Sequence, residues 1–333
     1  MTTNSQETTT SQTNFLPQVA VIIPIYNGEA DVPNLVDCLL SQTYPQELVE
    51  YLLVDNNSSD RTAELIKDAV EKAELQGITL GYLQENKIQS SYAARNKGIQ
   101  ATQAEILAFT DADCRPQSDW LMKLVPPFAN SEIGLVVGEI KALPGKTILE
   151  KHAEAQGILS QKNTLAHSFC PYGQTANLGV RKKAFEEVGM FRPYLTTGGD
   201  ADMCWRIQKE ASWQLHFAED AIIRHRHRAT IKELKSQWQR YGCSNRYLNQ
   251  LHGVPLRPTV NSKYYLSLAT RWLFRELPLG LVKALRGKAN YMDAIATPIN
   301  IFCIKARHEG QAKASLPEEA REIQFYESEI NMK

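Results

Sequence analysis

The first third of the chain alternates between short apolar runs and segments that suit helices. Four apolar runs that end in polar residues are predicted to be buried strands: residues 19–25, 51–54, 78–83 and 105–109. Three segments between them are predicted to be helices: residues 32–40, 62–75 and 92–102. Asp31 is in position to cap the first of these helices. This order predicts an α/β fold with a doubly wound, largely parallel sheet and flanking helices.

The pattern is less regular in the rest of the chain. Strands are predicted at residues 133–140 and 177–180 and a helix at residues 183–188, but residues 144–176 carry no clear pattern. The apolar stretch of residues 264–285 is interrupted by charges and a proline, so it is too broken to span a bilayer. It would either lie in a membrane interface or pack on the domain, and packing is the favoured interpretation.

Polar clusters follow two of the predicted strands. Asp111 and Asp113 stand one residue apart after the fourth strand, and Asp55 opens a polar segment after the second. Ligands of open α/β sheets bind beyond the carboxyl ends of the strands. Carboxylates there suit Mg²⁺ or Mn²⁺, although an Asp-x-Asp also occurs as a turn or a helix cap. Asp55 could accept a hydrogen bond from a nucleoside or form an Asx-turn, and both roles are compatible.

Basic residues provide further candidates. Arg95 could pair with a diphosphate through its planar guanidinium, or it could be a solvated helix residue. Residues 221–250 hold seven Lys or Arg against one acid. This stretch could bind a phosphate-bearing substrate or an anionic membrane surface, or form a solvated helix face. His225, within it, could ligate a metal or be structural.

A glycine pair precedes another acidic cluster. Gly198 and Gly199 would allow the backbone to approach a ligand closely, and Asp200 is predicted to open a helix. The dipole of that helix would keep the carboxylate ionised. Asp202 and Arg206 are spaced to pair on the same helix, so the two aspartates are expected to have different roles. A purely structural role for Asp200 would be to cap the helix.

Bulk composition restricts the possible classes. The chain has 333 residues, 43% of them hydrophobic, with 37 Lys or Arg against 37 Asp or Glu. This balance gives no field that would favour nucleic acid as a partner. The six scattered cysteines fit a reducing cytosol, so a cytoplasmic location is predicted, with peripheral contact at the inner face of the membrane left open. Neither a dinucleotide-binding nor a P-loop glycine motif is present.

Three regions are predicted from these patterns. Residues 1–16 are polar, with no basic and apolar signal segments, and are predicted to be a disordered tail. Residues 17–250 would form the catalytic domain and residues 251–333 a C-terminal helical extension. The oligomeric state cannot be deduced from these patterns.

Five segments in this order resemble the family 2 glycosyltransferases, whose nucleotide-sugar-binding fold is called GT-A. The resemblance covers about residues 19–230 and rests on these segments: Val21 to Asn27, Asp55 to Asp60, Ala94 to Gly98, Thr110 to Asp113 and Gly198 to Arg206. It implies a divalent metal, Mn²⁺ or Mg²⁺, as cofactor. Many members carry Glu-Asp where this chain has Gly199-Asp200, so the usual acceptor contact of the family is altered here.

The resemblance also implies roles for individual residues. Those implied to bind the nucleotide sugar are Pro24, Tyr26, Asn27, Asp55, Asn57, Arg95, Asp111 and Asp113. Asp113 is implied to hold the metal on the diphosphate, and His225 matches a position that ligates the metal in some members. Asp200 is implied to be the general base.

The predicted function is metal-dependent, inverting transfer of a hexosyl group from a nucleotide sugar, UDP-linked by preference, to a hydroxyl acceptor. The acceptor would be a carbohydrate or a lipid-linked molecule in polysaccharide or glycolipid biosynthesis. The first alternative is a sugar-phosphate nucleotidyltransferase. An enzyme of that class would need a Gly-rich basic loop after the first strand, where this chain has neither Lys nor Arg. The second alternative is a catalytically silent protein that binds nucleotide sugars.

Overall fold

The computed structural model describes residues 15–286 and 292–325. Residues 1–14 of the predicted tail therefore lie outside the described residues. Phe15 and Leu16, which the prediction also assigned to the tail, pack against one of the hydrophobic clusters of the core.

The described residues form a sheet of eight strands with helices around it. The strands are β1 (Val19–Ile25), β2 (Val49–Asp55), β3 (Thr79–Gln84), β4 (Ile106–Phe109), β5 (Cys114–Pro116), β6 (Ile133–Ala142), β7 (Leu178–Arg181) and β8 (Gln214–His225). The helices are α1 (Val32–Leu40), α2 (Thr62–Glu74), α3 (Ser91–Ala101), α4 (Trp120–Leu124), α5 (Ile148–Ala155), α6 (Gln161–Leu165), α7 (Lys182–Val188), α8 (Gly199–Glu210), α9 (Ile231–His252), α10 (Ser262–Arg271), α11 (Leu277–Leu285) and α12 (Met292–Lys313). Short 3₁₀ turns occupy Gln46–Leu48, Pro126–Ala129, Thr175–Asn177 and Glu318–Arg321, and a π turn, Trp272–Glu276, joins α10 to α11.

The sheet confirms the predicted α/β class. Its strand order is β3-β2-β1-β4-β7-β6-β8-β5. The first four strands are mutually parallel, as the alternation of strands and helices predicts. Beyond β4 the sheet is mixed, because β7 is antiparallel to both β4 and β6, and β5 is antiparallel to β8. Apolar patterns indicate that a strand is buried but not its direction, so the strand directions beyond β4 could not be predicted from periodicity.

Both faces of the sheet are covered by apolar layers. Val19, Val21 and Ile23 of β1 belong to one cluster, whereas Ala20 and Ile22 belong to the other. Successive side chains of a strand point to opposite faces, so a strand buried on both faces must be apolar throughout. This accounts for the continuous run in the sequence.

The C-terminal helices attach to the domain through a close helix crossing. A Cβ atom on Gly242 of α9 would overlap the carbonyl oxygen of Arg307, and one on Gly310 of α12 would overlap that of Gln239. Glycine at both positions therefore lets α12 pack directly against α9. After α12 the chain returns to the core, where Leu316 and Ala320 are buried in the second cluster.

The segment between these helices is exposed. No side chain of Ser262–Glu276 is fully buried, and the segment packs against α12 through half-buried side chains, so it lies on the C-terminal helices with one side exposed. Its link to α12 includes a hydrogen bond of 2.6 Å from Trp272 Nε1 to the carbonyl oxygen of Ala294. Large apolar side chains are exposed along it and α11: Leu266, Leu273, Phe274, Leu279, Leu281, Val282 and Leu285. Among the described residues, no helix has the length and apolar character needed to cross a bilayer.

Candidate active site

The predicted polar clusters lie at one edge of the sheet. Asp55 is the last residue of β2 and is opposite Ile25 of β1. Strand β4 ends at Phe109, opposite Ile22, so Asp111 follows it at nearly the same level as Asp55. The carboxyl ends of these parallel strands thus bring the two clusters together, as expected for a ligand site in this class of sheet.

The turn after β1 is hydrogen-bonded to the turn after β2. Pro24 is buried in β1, whereas the Tyr26 side chain is 57% exposed. The N–H of Asn27 donates to Ser58 Oγ at 2.9 Å, and Asn27 Oδ1 accepts from the N–H of Ser59 at 2.9 Å. Asn27 has a φ of 47°, a left-handed conformation that asparagine tolerates.

The Asp55 side chain closes the turn after β2 through the N–H three residues on, whereas an Asx-turn uses the N–H two residues on. Its Oδ1 accepts from the N–H of Ser58 at 3.0 Å, and its Oδ2 accepts from the Tyr82 hydroxyl at 3.3 Å. Asn57, with a φ of 63°, lies inside the same turn. Each carboxylate oxygen can accept a second hydrogen bond, so these contacts are compatible with a ligand role for Asp55.

Strand pairing creates a cluster of possible metal ligands. Strand β5 pairs with β8 so that Cys114 stands opposite His225. Asp113 precedes Cys114, and its Oδ1 lies 3.3 Å from His225 Nε2. Ligand atoms of Asp113, Cys114 and His225 all lie within 4.8 Å of one another. Burial raises the pKa of the Cys114 thiol well above its usual value, so the carboxylate and the imidazole are the better ligands for a hard metal.

The hydrogen bonding of His225 fits a metal at this cluster. Its Nδ1 lies 2.7 Å from the carbonyl oxygen of Arg226, a contact that requires a proton on Nδ1. In the neutral ring, Nε2 then presents a lone pair towards the Asp113 carboxylate. Two electron-rich atoms at this distance favour a cation between them, and a backbone carbonyl on the other nitrogen is a common arrangement for a metal-binding histidine.

Positive charges hold Asp113 in its ionised form. Burial alone would raise the pKa of this carboxyl group, but the positive charges of His225, when its ring is protonated, and of Arg228 and Arg226 outweigh it, and the pKa is lowered. Arg228 Nη1 is 3.4 Å from Asp113 Oδ2. The carboxylate is therefore available as a ligand at neutral pH.

A buried arginine crosses from α3 to the Asp-x-Asp. Arg95 Nη2 is 2.6 Å from Asp111 Oδ1, and the Arg95 side chain is only 4% exposed. Its Nε is buried without a hydrogen-bond partner. The guanidinium also lies over the ring of Tyr92, with Cζ at 5.6 Å from the ring centre. Arg95 is not the solvated helix residue of the alternative interpretation, because its positive charge is buried beside Asp111.

Asp200 stands in the first turn of α8 but does not cap it. Its Oδ1 accepts from the Thr175 hydroxyl at 3.1 Å, and its Oδ2 accepts from the Thr175 N–H at 3.4 Å. Burial raises the pKa of Asp200; Arg95 and Thr175 lower it, while the charge of Asp111 raises it, and the net pKa is above the usual value. The helix dipole was expected to favour the ionised form, but the net shift of the pKa is upward, and burial is its largest cause.

The glycine pair before Asp200 has a different use from the one predicted. A Cβ atom on Gly199 would overlap the ring of Tyr92, and the Gly199 N–H donates to the Tyr92 hydroxyl at 3.0 Å. Gly199 therefore makes room for a neighbouring side chain, and the predicted close approach to a ligand stays a prediction. This contact places Tyr92 between Arg95 and the start of α8.

Asp202 has the structural role that the sequence predicts. It is fully buried and pairs with Arg206 at 3.2 Å, Arg192 at 3.0 Å and His252 at 2.9 Å. Burial would raise the pKa of Asp202, but the His252 hydrogen bond and the two arginines lower it to about 2. Arg206 in turn donates to the carbonyl oxygens of Val188, Gly189 and Met190.

Sequence reasoning missed several contributors. Thr175, which orients Asp200, lies in the segment that carried no clear pattern. Arg228 belongs to the basic stretch but was not singled out. Asp31 was expected to cap α1, yet its side chain makes no capping bond and instead pairs with Arg115 at 2.9 Å and Arg226 at 2.6 Å.

The fold and this edge of the sheet are those of the GT-A class of glycosyltransferases. The structure aligns with a mannosyltransferase from Pyrobaculum calidifontis solved with GDP-Man and Mn²⁺, at a TM-score of 0.62 and 18% identity, over 90% of this chain and 88% of the other. It also aligns with GalNAc-T7 solved with UDP, GalNAc and Mn²⁺, at a TM-score of 0.51 and 17% identity, over 72% and 51%. At these identities the likeness concerns the fold.

The chain belongs to glycosyl transferase family 2, which matches residues 20–189. The related glycosyl transferase family group 2 matches residues 106–304. Glycosyltransferase AglE of Haloferax volcanii is 34% identical over 229 residues, or 68% of this chain and 73% of its own. A pre-mycofactocin glycosyltransferase of Mycobacterium tuberculosis is 26% identical over 270 residues, and the match spans 79% of this chain and 53% of that relative. The chain is therefore a glycosyltransferase.

Proposed function

We propose that this protein is a metal-dependent, inverting glycosyltransferase that moves a hexosyl group from a nucleotide sugar to a hydroxyl group of its acceptor. The observation that carries this proposal is the spatial arrangement of two kinds of carboxylate. Asp113 is kept ionised beside His225, whereas Asp200 has a raised pKa and is hydrogen-bonded to Thr175. One site thus provides a metal ligand and a separate proton acceptor.

Donor binding is proposed to use the edge formed by β1, β2 and β4. Asp55 and the turn with Asn27 would hold the nucleoside, and Arg95 and Arg228 bring positive charge to the side where the diphosphate would lie. A divalent metal held by Asp113 and His225 would supply Lewis-acid stabilisation of the charge that develops on the leaving diphosphate. The solved relatives in fold contain GDP-Man or UDP, and UDP-linked sugars are the first donors to test.

Asp200 is proposed to take the proton from the attacking hydroxyl group. A raised pKa makes the carboxylate a stronger base once it is ionised, and general-base assistance contributes typically about 10²–10⁴-fold. The hydrogen bonds from Thr175 would fix its orientation. With Asp200 as the base and no nucleophile assigned among the described residues, direct attack with inversion at the anomeric carbon is the proposed reaction.

The acceptor is proposed to be a carbohydrate or lipid-linked molecule of polysaccharide or glycolipid biosynthesis. Exposed apolar side chains on α10 and α11 alternate with Arg271, Arg275 and Lys283, which is the composition of a helix that lies in a membrane interface. We therefore favour peripheral contact with the inner face of the membrane. All six cysteines are free, in agreement with a reducing compartment.

The proposal can be tested by screening nucleotide sugars for thermal stabilisation with Mn²⁺ and again with a chelator. A ligand at 100 times its Kd stabilises the folded state by about 2.7 kcal/mol, which is readily seen as a rise in Tm. Donors that stabilise only with Mn²⁺ are then incubated without an acceptor, and release of the nucleoside diphosphate is measured. Stabilisation without hydrolysis or transfer would support the silent binding protein, and release of pyrophosphate from a nucleoside triphosphate would support a nucleotidyltransferase.

A further inference from the structure

A cavity lies outside the site described above, where the C-terminal helices meet α9. Its volume is about 710 Å³. It is bordered by α9, by the segment that follows it, and by the first part of α10 and the middle of α12. The side chains that matter here are Trp238, Arg257, Tyr264 and Arg307.

Two arginines give this cavity an uncompensated positive charge. Among the described residues, no carboxylate lies within ion-pair distance of Arg257 or Arg307. Burial and the neighbouring charge of Arg257 lower the pKa of Arg307 to about 10. Two guanidinium groups that repel each other beside a cavity are stabilised when an anion enters it, as in sites that recognise phosphate.

Two buried N–H donors beside the cavity also lack partners. Arg307 Nε and Trp238 Nε1 have no hydrogen-bond acceptor in the structure. The Arg307 guanidinium lies 5.8 Å from the centre of the Trp238 ring. Buried donors are normally satisfied, and both of these belong to side chains that line the cavity, where an acceptor-rich ligand could supply the missing partner. A phosphate group provides several such oxygens.

Arg307 and Asp200 both lie near one tyrosine, Tyr172. The charge of Arg307 lowers the pKa of both Tyr172 and Tyr241, whereas the charge of Asp200 raises the pKa of Tyr172. Arg307 is thus within electrostatic reach of a residue that also senses Asp200.

The opposite border of the cavity leads to the exposed apolar helices. Tyr264, which lines it, belongs to α10, and Leu266, Leu273 and Phe274 follow on the same exposed segment. Positive charge, unpartnered donors and an adjoining apolar surface together match an amphiphile with an anionic head.

We propose that this cavity binds the phosphate or diphosphate group of a lipid-linked acceptor, with the apolar chain along α10 and α11. This inference rests on the proposed transferase function and specifies its acceptor. The ligand is recognised by charge and by hydrogen bonds to Arg257, Arg307 and Trp238. It is separate from the donor diphosphate site at Asp113.

Calorimetry on the full chain tests the proposal, with a chelator present so that the metal site does not retain diphosphate. The probes are geranyl diphosphate, inorganic pyrophosphate and geraniol. Geranyl diphosphate is expected to bind more tightly than either of the others. We expect Arg257→Gln and Arg307→Gln each to weaken it by about tenfold or more, because each removes a charge-assisted hydrogen bond.

The matched control is Arg240→Gln, which removes the same charge from an exposed position on α9. It should leave the affinity for geranyl diphosphate unchanged. Arg257 is exposed, so its variant is expected to fold normally even if the Arg307 variant does not. Equal affinities in all three variants and the wild type would overturn the proposal.

Pyrophosphate and geraniol show which part of geranyl diphosphate the cavity recognises. Equal affinity for pyrophosphate and geranyl diphosphate would mean a site for a free anion, and equal affinity for geraniol would mean an apolar site; either result contradicts a lipid-linked ligand. These measurements do not involve the donor. Donor hydrolysis by the wild type tests the transferase proposal separately, so the two can fail independently.

Discussion

Two aspartates of one helix turn provide a strong test of the proposed chemistry. Asp200 and Asp202 are separated by one residue in α8 yet have opposite surroundings. Asp200 has a raised pKa and accepts hydrogen bonds from Thr175, whereas Asp202 neutralises two buried arginines. The same substitution, Asp→Asn, should therefore have different consequences at the two positions.

For Asp202→Asn we expect a loss of stability. The amide keeps the shape of the side chain but cannot neutralise Arg192 and Arg206, and removing one partner of a buried pair costs about 3–5 kcal/mol. The lowered pKa of Asp202 gives a second measure of this loss of stability. A fall from 3.8 to about 2 corresponds to about 2 kcal/mol of stability at neutral pH. This contribution is fully present above about pH 4 and is lost as the pH falls towards about 2.

For Asp200→Asn we expect a loss of turnover. Asparagine can still accept the Thr175 hydroxyl bond, but it cannot take a proton, so kcat should fall by about 10²–10⁴-fold. The free energy of unfolding should be equal to or above that of the wild type, because a neutral amide avoids the cost of burying an ionised group. Donor affinity with Mn²⁺ should be nearly unchanged.

Urea unfolding and steady-state turnover, measured on both variants at a temperature where both are folded, decide between these outcomes. Asp220→Asn is the matched control, because Asp220 is exposed on β8 and should alter neither quantity. Near-normal turnover of Asp200→Asn together with inactive but stable Asp202→Asn would refute the assignment of the base.

Three further expectations follow from the same structure. Asp113→Ala should abolish the Mn²⁺-dependent part of donor affinity in calorimetry, whereas Cys114→Ala should not, because its thiol stays protonated. Turnover should fall as the pH is lowered, with a midpoint above the usual aspartate pKa of 3.8, because the pKa of Asp200 is raised and the base must be ionised. This acid-side fall should be absent in Asp200→Asn. The wild type and Leu75→Asp should float with anionic vesicles at low salt, because Leu75 is exposed at the end of α2 and lies outside the apolar segment of α10 and α11. Less of the Phe274→Asp variant should float. Protein that stays wholly in the soluble fraction would count against membrane contact.

The first half of the fold was predictable because local patterns determine it. Every strand and helix predicted from apolar patterns is present, and the ends differ by at most two residues. The strand predicted at residues 19–25 matches β1, whose burial on both faces leaves no polar position to obscure the pattern. In such elements local periodicity and tertiary burial agree, and the sequence alone is sufficient.

The segment of residues 144–176 was not predictable because long-range polar contacts position it. The helices α5 and α6 are short, and α6 begins where buried Gln161 donates its N–H to Glu139 of β6. Asn177, just after Thr175, donates to the carbonyl oxygens of Glu139 and Ala221. These bonds span strands far apart in the chain, and they place Thr175 against Asp200. No spacing within the segment itself could have shown this.

The basic stretch illustrates how pairing changes the meaning of a charge pattern. Its alternation of apolar and basic residues suggested a continuous surface for phosphate or membrane. In the structure Arg226 pairs with Asp31, and Arg228 contacts Asp113, so both charges neutralise acids near the metal cluster. Because Asp31 also pairs with Arg115 of β5, it ties α1 to the two strands that position Asp113 and His225. These arginines therefore organise the donor side of the site, and surface charge for an anionic membrane must come from exposed residues farther along α9 and α10.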